Sequence, residues 1–158
     1  MGKITVAPAP TGFSDWDELH GLLHTCFAYM ADRIDPPSSL NRMTPDDLRC
    51  KAETETLVLA YDAGRLVGCA HLAARPDAIY IGKVAVLPAY QRRGILRRMM
   101  AIAEDLAREQ GKQALELETR IELTENHATF RALGFAKSAE KAHAGYDRPT
   151  SITMRKPL

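Results

Sequence analysis

The chain has 158 residues, which suits one domain with one core, and its 46% hydrophobic content is ordinary for a globular protein. Its 21 basic and 20 acidic residues leave a net charge of +1, which argues against a general nucleic-acid binder with its basic excess. Cys26, Cys50 and Cys69 are odd in number and form no C-x-x-C pair, and neither a membrane-length apolar run nor a signal-peptide pattern is present. The expectation is a cytoplasmic protein without a disulfide framework, a zinc site, a membrane partner or a nucleic-acid partner.

Ile4 to Ala7 reads as a short strand, ended by Pro8 and Pro10. A helix follows, with Ser14 as its cap and Asp17 three residues on. Leu19, Leu22, Leu23, Cys26 and Met30 recur at helical spacing and should face the core. Asp35-Pro36-Pro37-Ser38-Ser39 stops that helix, and Thr44-Pro45 opens a second one. Thr56 to Tyr61 and Leu66 to Ala73 form a hairpin around Asp62-Ala63-Gly64-Arg65.

Ala78 to Leu87 is the next strand. Its apolar residues Ile79, Ile81, Val84 and Val86 change parity midway, which suits a strand covered on both faces or one with a bulge. Gln91 to Gln110 reads as the longest helix, with Ile95, Met99, Ile102, Ala103 and Leu106 as its buried stripe and Gly111 as its stop. Ala114 to Thr119 is a strand, Glu125 to Leu133 a short helix, and Phe135 to Ala139 and Ser151 to Lys156 are the closing strands. The order β-α-α-β-β-β-α-β-α-β-β carries no repeat or linker. It predicts an α/β fold: one domain over residues 1–158 with a mixed central sheet flanked by helices.

The chemistry concentrates where the strand from Ala78 to Leu87 meets the long helix. Val84-Ala85-Val86-Leu87-Pro88 runs into Gln91-Arg92-Arg93-Gly94-Ile95-Leu96. Backbone N–H groups at a helix start lack intrahelical partners and, with the helix dipole, favour an anion. Arg92, Arg93, Arg97 and Arg98 add positive charge, each unfavourable there by about 0.3–1 kcal/mol unless an anion or solvent offsets it. The physical reading is a diphosphate site; the competing one is a solvated basic turn.

At these residues the sequence resembles the GNAT family of N-acetyltransferases. The family's coenzyme A loop, Gln/Arg-x-x-Gly-x-Gly/Ala after Val-x-Pro, is matched by Gln91 to Leu96 after Val86-Leu87-Pro88. Downstream, Glu125-Asn126-His127-Ala128-Thr129-Phe130-Arg131-Ala132-Leu133-Gly134-Phe135 resembles the pattern Glu-Asn-x-x-x-Tyr-x-x-Leu-Gly-Phe. The resemblance implies an acetyl-CoA cosubstrate and no metal. It implies that Val84, Ala85 and Val86 pair with the pantetheine arm, and that Gln91 and the amides of Arg92, Arg93, Gly94, Ile95, Leu96 and Arg97 hold the pyrophosphate. It further implies that Asn126 and Phe130 contact the arm, and that the strands flanking the long helix splay to admit the thioester. Two residues depart from the pattern. Leu96 replaces a small residue and must turn away from the diphosphate. Phe130 replaces a tyrosine whose hydroxyl, in many members, can protonate the leaving thiolate; phenylalanine has no donor.

Amine acetylation also needs a route for the amine's proton. The strand from Ala78 offers Tyr80 and Lys83 but no carboxylate; Glu118 and Glu122 lie on or after the following strand. Glu122 and Tyr80 are the catalytic candidates, against the plainer reading of Glu122 as a loop carboxylate. His127 is expected on the exposed face of a short helix. His20 and His24 have the i, i+4 spacing of a metal pair but no third ligand, so a solvated helix face is expected. Arg33 and Ser38, around the Pro36-Pro37 loop, are candidates for holding the acceptor, Arg33 through a carboxylate. The acceptor is expected to be an amine on a small molecule or peptide. Homodimerisation is an expectation carried by the resemblance alone. The rival to an enzyme is a coenzyme A-binding regulatory or sensing module that has lost catalysis, consistent with Phe130 and the missing strand carboxylate.

Overall fold

The structure, a computed structural model, describes residues 3–158. Seven strands form one sheet: β1 (Ile4–Pro8), β2 (Thr56–Asp62), β3 (Arg65–Ala74), β4 (Ala78–Val86), β5 (Ala114–Arg120), β6 (Ala136–Lys141) and β7 (Ser151–Pro157). Their order across the sheet is β1-β2-β3-β4-β5-β7-β6. Only β4 and β5 are parallel. A parallel pair needs a crossover, and the long helix supplies it. The helices are α1 (Trp16–Phe27), α2 (Pro45–Lys51), α3 (Ile95–Glu109) and α4 (Thr124–Ala132). Among the described residues no helix is long and apolar enough to cross a membrane.

Two cores cover the two faces. On one, Ile95, Met99, Ala103 and Ala107 of α3 pack on Val58, Val67, Ile79, Ile81, Leu115 and Met154. On the other, Leu19, Leu22, Leu23 and Cys26 of α1 and Leu48 of α2 pack on Leu57, Leu59, Leu66 and Cys69. The expected α1 stripe is therefore the buried one, as is most of the α3 stripe; Ile102 and Leu106 are only partly buried.

The parity change in β4 is a bulge. Cys69 faces Ala85 and His71 faces Gly82, so β4 carries one more residue than β3 over this stretch. Ile79 and Ile81 before it and Val84 and Val86 after it thus pack toward the same α3 core, whereas Ala85 joins the opposite one. Lys83 takes up the distortion with φ of 46°, a left-handed conformation that side chains other than glycine rarely adopt.

Two expected boundaries shift and one holds. Asp15, not Ser14, stands at the α1 cap, and no side chain caps there; Asp17 sits in the first turn, where a carboxylate is favoured by the helix dipole. Thr44 does cap α2, in a reciprocal pair with Asp47. The long helix begins at Ile95 rather than Gln91. Pro88–Tyr90 is a short 3₁₀ turn, and Arg92 and Gly94, with φ of 64° and 81°, break the helical path before it.

Candidate active site

β4 and β5 pair only from Ala78/Ala114 to Ile81/Leu117, although β4 runs on to Val86 and β5 to Arg120. Beyond Ile81 and Leu117 the strands no longer bond, and a cleft of about 1710 Å³ opens between them. That exceeds the roughly 300–1,000 Å³ typical of a small-ligand pocket and leaves room for an extended ligand with a second molecule at its end.

One end of the cleft is the start of α3. The first bond of that helix runs from the Arg98 N–H to the Gly94 carbonyl at 3.0 Å. The amides of Ile95, Leu96 and Arg97 therefore have no acceptor within the helix. Arg92, Arg93 and Gly94 donate no backbone bond among the described residues. No side chain caps this end, and no acidic residue lies in its first turn. Gly94 sits in the left-handed region, and a Cβ built there meets no atom within 4 Å; the space over the amides is open. These features fit a diphosphate, which would be held by N–H groups and the positive end of a 15-residue helix.

The four arginines divide. Arg92 and Arg97 line the cleft. Arg93 instead stacks over the Tyr90 ring at 4.9 Å, and Arg98 donates to the Ile4 carbonyl at 3.0 Å, tying α3 to β1. Gln91 also lines the cleft, its Nε2 donating to the Val86 carbonyl at 3.3 Å. Leu96 is partly buried against the α3 core. Val84, Ala85 and Val86 line the cleft along the outer stretch of β4, opposite Asn126 and Phe130 of α4. Phe130 packs edge-on against Phe135 with centroids 5.7 Å apart, and Asn126 donates to the Tyr29 hydroxyl at 3.5 Å.

Beyond the splay lie the polar groups that could act on an acceptor. Tyr80 lines the cleft, and its hydroxyl donates to Glu118 Oε2 at 3.5 Å. Burial, and then the charge of Glu118, raise the Tyr80 hydroxyl to a pKa of about 12, so it is a proton donor at neutral pH. Glu118 lines the cleft and pairs with Lys141 at 2.7 Å.

Glu122 does not stand on the cleft wall. Its Oε2 accepts from the Asp35 N–H at 3.2 Å, and its Oε1 is buried without a partner. The turn after β5 points this carboxylate at the Pro-Pro loop instead. Arg33 is likewise engaged elsewhere: it makes a two-bond pair with Glu125, at 2.5 and 2.8 Å. That pair draws the Glu125 carboxyl down to about 2. Ser38 does line the cleft, but its hydroxyl accepts from the Leu40 N–H and caps a short turn. His127 is buried rather than exposed, its Nε2 hydrogen-bonded to the Arg120 carbonyl at 2.9 Å. His24 and His20 contact each other and His20 reaches the Met43 carbonyl; among the described residues no group of three metal-ligating side chains exists.

The loop from Arg33 to Ser39 is held from several sides. Besides Arg33 and Glu122, Arg120 donates to the Pro36 and Pro37 carbonyls at 2.7 and 3.2 Å. The Asp35 carboxylate accepts from Tyr146 at 2.6 Å and pairs with Arg148 at 3.1 Å. No local motif marks Arg120 for this role; its partners lie more than 80 residues away.

A splayed parallel pair with an uncapped, glycine-preceded helix at its mouth is the architecture of an acyl-CoA-using transferase. Residues 16–135 match the acetyltransferase (GNAT) family, and the chain belongs to that family. It is an acetyl-CoA-dependent acetyltransferase. It is 32% identical over 144 residues to an IAA acetyltransferase of Azospirillum brasilense, covering 90% of this chain and 92% of that one. Among solved structures it is similar to the PaiA N-acetyltransferase of Thermoplasma acidophilum in complex with coenzyme A, with a TM-score of 0.83 at 12% identity over 99% of both chains. It is also similar to a GNAT acetyltransferase of Elizabethkingia anophelis with acetyl-CoA bound, with a TM-score of 0.69 at 18% identity over 98% of both chains.

Proposed function

We propose that this enzyme transfers acetyl from acetyl-CoA to a primary amine of a small molecule or peptide by direct attack within a ternary complex. The observation that carries the reading is the continuity of one cleft from the free amides of α3, along Val84–Val86, to the splay beyond Ile81 and Leu117. Acetyl-CoA supplies the thioester: the amine forms the C–N bond, the C–S bond breaks, and the thiolate leaves with a proton. The amides of Arg92 to Arg97 and the side chains of Arg92 and Arg97 hold the diphosphate. The unpaired outer edge of β4 offers backbone groups to the pantetheine arm, in the manner of an added strand. Asn126 and Phe130 close the other side.

Glu118 takes a proton from the incoming ammonium so that the neutral amine attacks, the amine's second proton passes to the leaving thiolate, and Tyr80 holds the carboxylate in place. Glu118 is preferred over Glu122 because it stands on the cleft wall, while Glu122 is spent on the Asp35 amide. Thiol release with a panel of primary amines tests the reading. Wild type should turn over at least one class, and Glu118→Gln should lose about 10²–10⁴-fold in kcat with acetyl-CoA affinity unchanged. Binding of acetyl-CoA without transfer to any amine would instead favour a sensing module.

A further inference from the structure

The acceptor end of the cleft is unevenly charged. Its acids are each matched to a cation: Glu118 to Lys141, and Glu125 to Arg33. Two of its bases, Lys83 and Arg42, are not matched in return. Lys83, at the β4 bulge, is half-buried and lines the cleft, and among the described residues its Nζ has the Ser39 hydroxyl as its one partner, at 2.7 Å. No carboxylate pairs with it among the described residues. Arg42, on the same turn as Ser39, also lines the cleft and makes no ion pair among the described residues. Lys51 lines the cleft too and is partnered by Glu55 at 2.9 Å.

An ammonium partly withdrawn from water without a counter-ion is unfavourable, and such charges are ordinarily paired. Lys83 accordingly has its proton affinity lowered, first by burial and then by the charges of Lys51 and Arg120. Beneath it lies a second unsatisfied group. His71 is fully buried opposite Gly82, the neighbour of Lys83, and its ring nitrogens meet no partner at full hydrogen-bond geometry, the nearest polar groups being the Gly82 and Lys83 backbone. The bulge itself places Lys83 here, at a φ that the backbone adopts only under constraint. A conformational cost, an unpaired cation and a hydroxyl already oriented on it converge on one point of the cleft wall.

Resting on the transfer reading above, we propose that Lys83, Ser39 and Arg42 form a subsite for an anionic group on the acceptor, so that the enzyme selects amines that also carry a carboxylate. The subsite differs from the one expected at Arg33, which Glu125 already occupies. An incoming carboxylate accepts from the Lys83 ammonium and the Ser39 hydroxyl, while Arg42 supplies the second charge from the rim. It supplies the counter-ion that the folded chain leaves out. A polyamine meets the opposite situation, since its second ammonium would be pressed against Lys83, Lys51 and Arg42.

The test uses the ω-amino carboxylates from glycine to 6-aminohexanoate and their primary amides as matched probes, with coenzyme A or acetyl-CoA saturating. Binding is read by thermal shift and transfer by thiol release. For at least one chain length, wild type should be stabilised by the carboxylate and not by the amide, and kcat/KM should favour the carboxylate by tenfold or more. In Lys83→Met that ratio should fall to about one while the shift given by acetyl-CoA stays native; Lys83→Arg should recover part of it. Equal stabilisation by carboxylate and amide at every length, in wild type and Lys83→Met alike, overturns the subsite. Selective carboxylate binding without any thiol release keeps the subsite and overturns the transfer reading instead.

Discussion

Gly94 is the residue on which the proposed cofactor end of the cleft turns. Its φ of 81° lies in the left-handed region, which costs an L-residue about 1–2 kcal/mol. A Cβ there touches nothing within 4 Å, so no steric penalty within the protein adds to that figure. At about 2–4 °C per kcal/mol for a chain of this size, Gly94→Ala should lower the Tm by roughly 2–8 °C. Acetyl-CoA at ~100 times its Kd should stabilise wild type by about 2.7 kcal/mol, or about 5–11 °C on the same scale. Gly94→Glu should show a similar loss of intrinsic stability and none of the acetyl-CoA shift. Its carboxylate extends into the open space over the Ile95 to Arg97 amides and repels a diphosphate. Differential scanning fluorimetry on the three proteins, with and without acetyl-CoA, separates the backbone penalty from the ligand effect. An acetyl-CoA shift in Gly94→Glu equal to that of wild type would place the diphosphate elsewhere and refute the argument.

Two further outcomes follow from side chains outside that loop. If Arg33 serves only to clasp the acceptor loop to α4, Arg33→Ala and Glu125→Gln should raise the acceptor KM by similar factors, leave acetyl-CoA affinity unchanged and show no added effect when combined; an effect of Arg33→Ala alone would mean that Arg33 meets the acceptor directly. Burial, and then Lys51, lower the His71 pKa from 6.5 to about 4. The unfolded chain therefore binds this proton more readily, and stability is full above pH 6.5 and lost as pH falls toward 4. That amounts to about 2 kcal/mol between pH 7 and pH 5, read as a fall in urea midpoint that His71→Leu should largely abolish.

What was legible in the sequence was whatever depends on near neighbours. The broken parity of Ile79, Ile81, Val84 and Val86 marked the bulge, because one added residue must turn the side-chain alternation over. The α1 stripe and the Thr44 cap are also local patterns. The sequence places the start of α3 four residues early because Gln91 to Arg93 carries no helix-breaking residue; the break is made by Gly94 together with Arg92, whose side chain does not advertise its left-handed conformation. The choice between Glu118 and Glu122 depends on where β5 ends against β7, since Glu118 still pairs with Thr153 and Glu122 lies past the last register pair at Arg120. The partner of Arg33 lies 92 residues away on α4. No spacing rule reaches that far, so a free-looking arginine proves to be a structural tie.

The manner in which the Pro36-Pro37 loop is fastened bears on how this enzyme could change its diet. Arg120 grips main-chain carbonyls, and Glu122 grips a main-chain amide. Those handles exist whatever side chains the loop carries. Ser39 and Arg42, which line the cleft and are proposed to meet the acceptor, are thus separable from the frame that presents them. Libraries confined to these two positions should yield folded proteins with altered acceptor preference at a high rate, while randomising Arg120 should mostly yield a slack, unselective wall. The acceptor wall behaves as an interchangeable faceplate bolted on from behind.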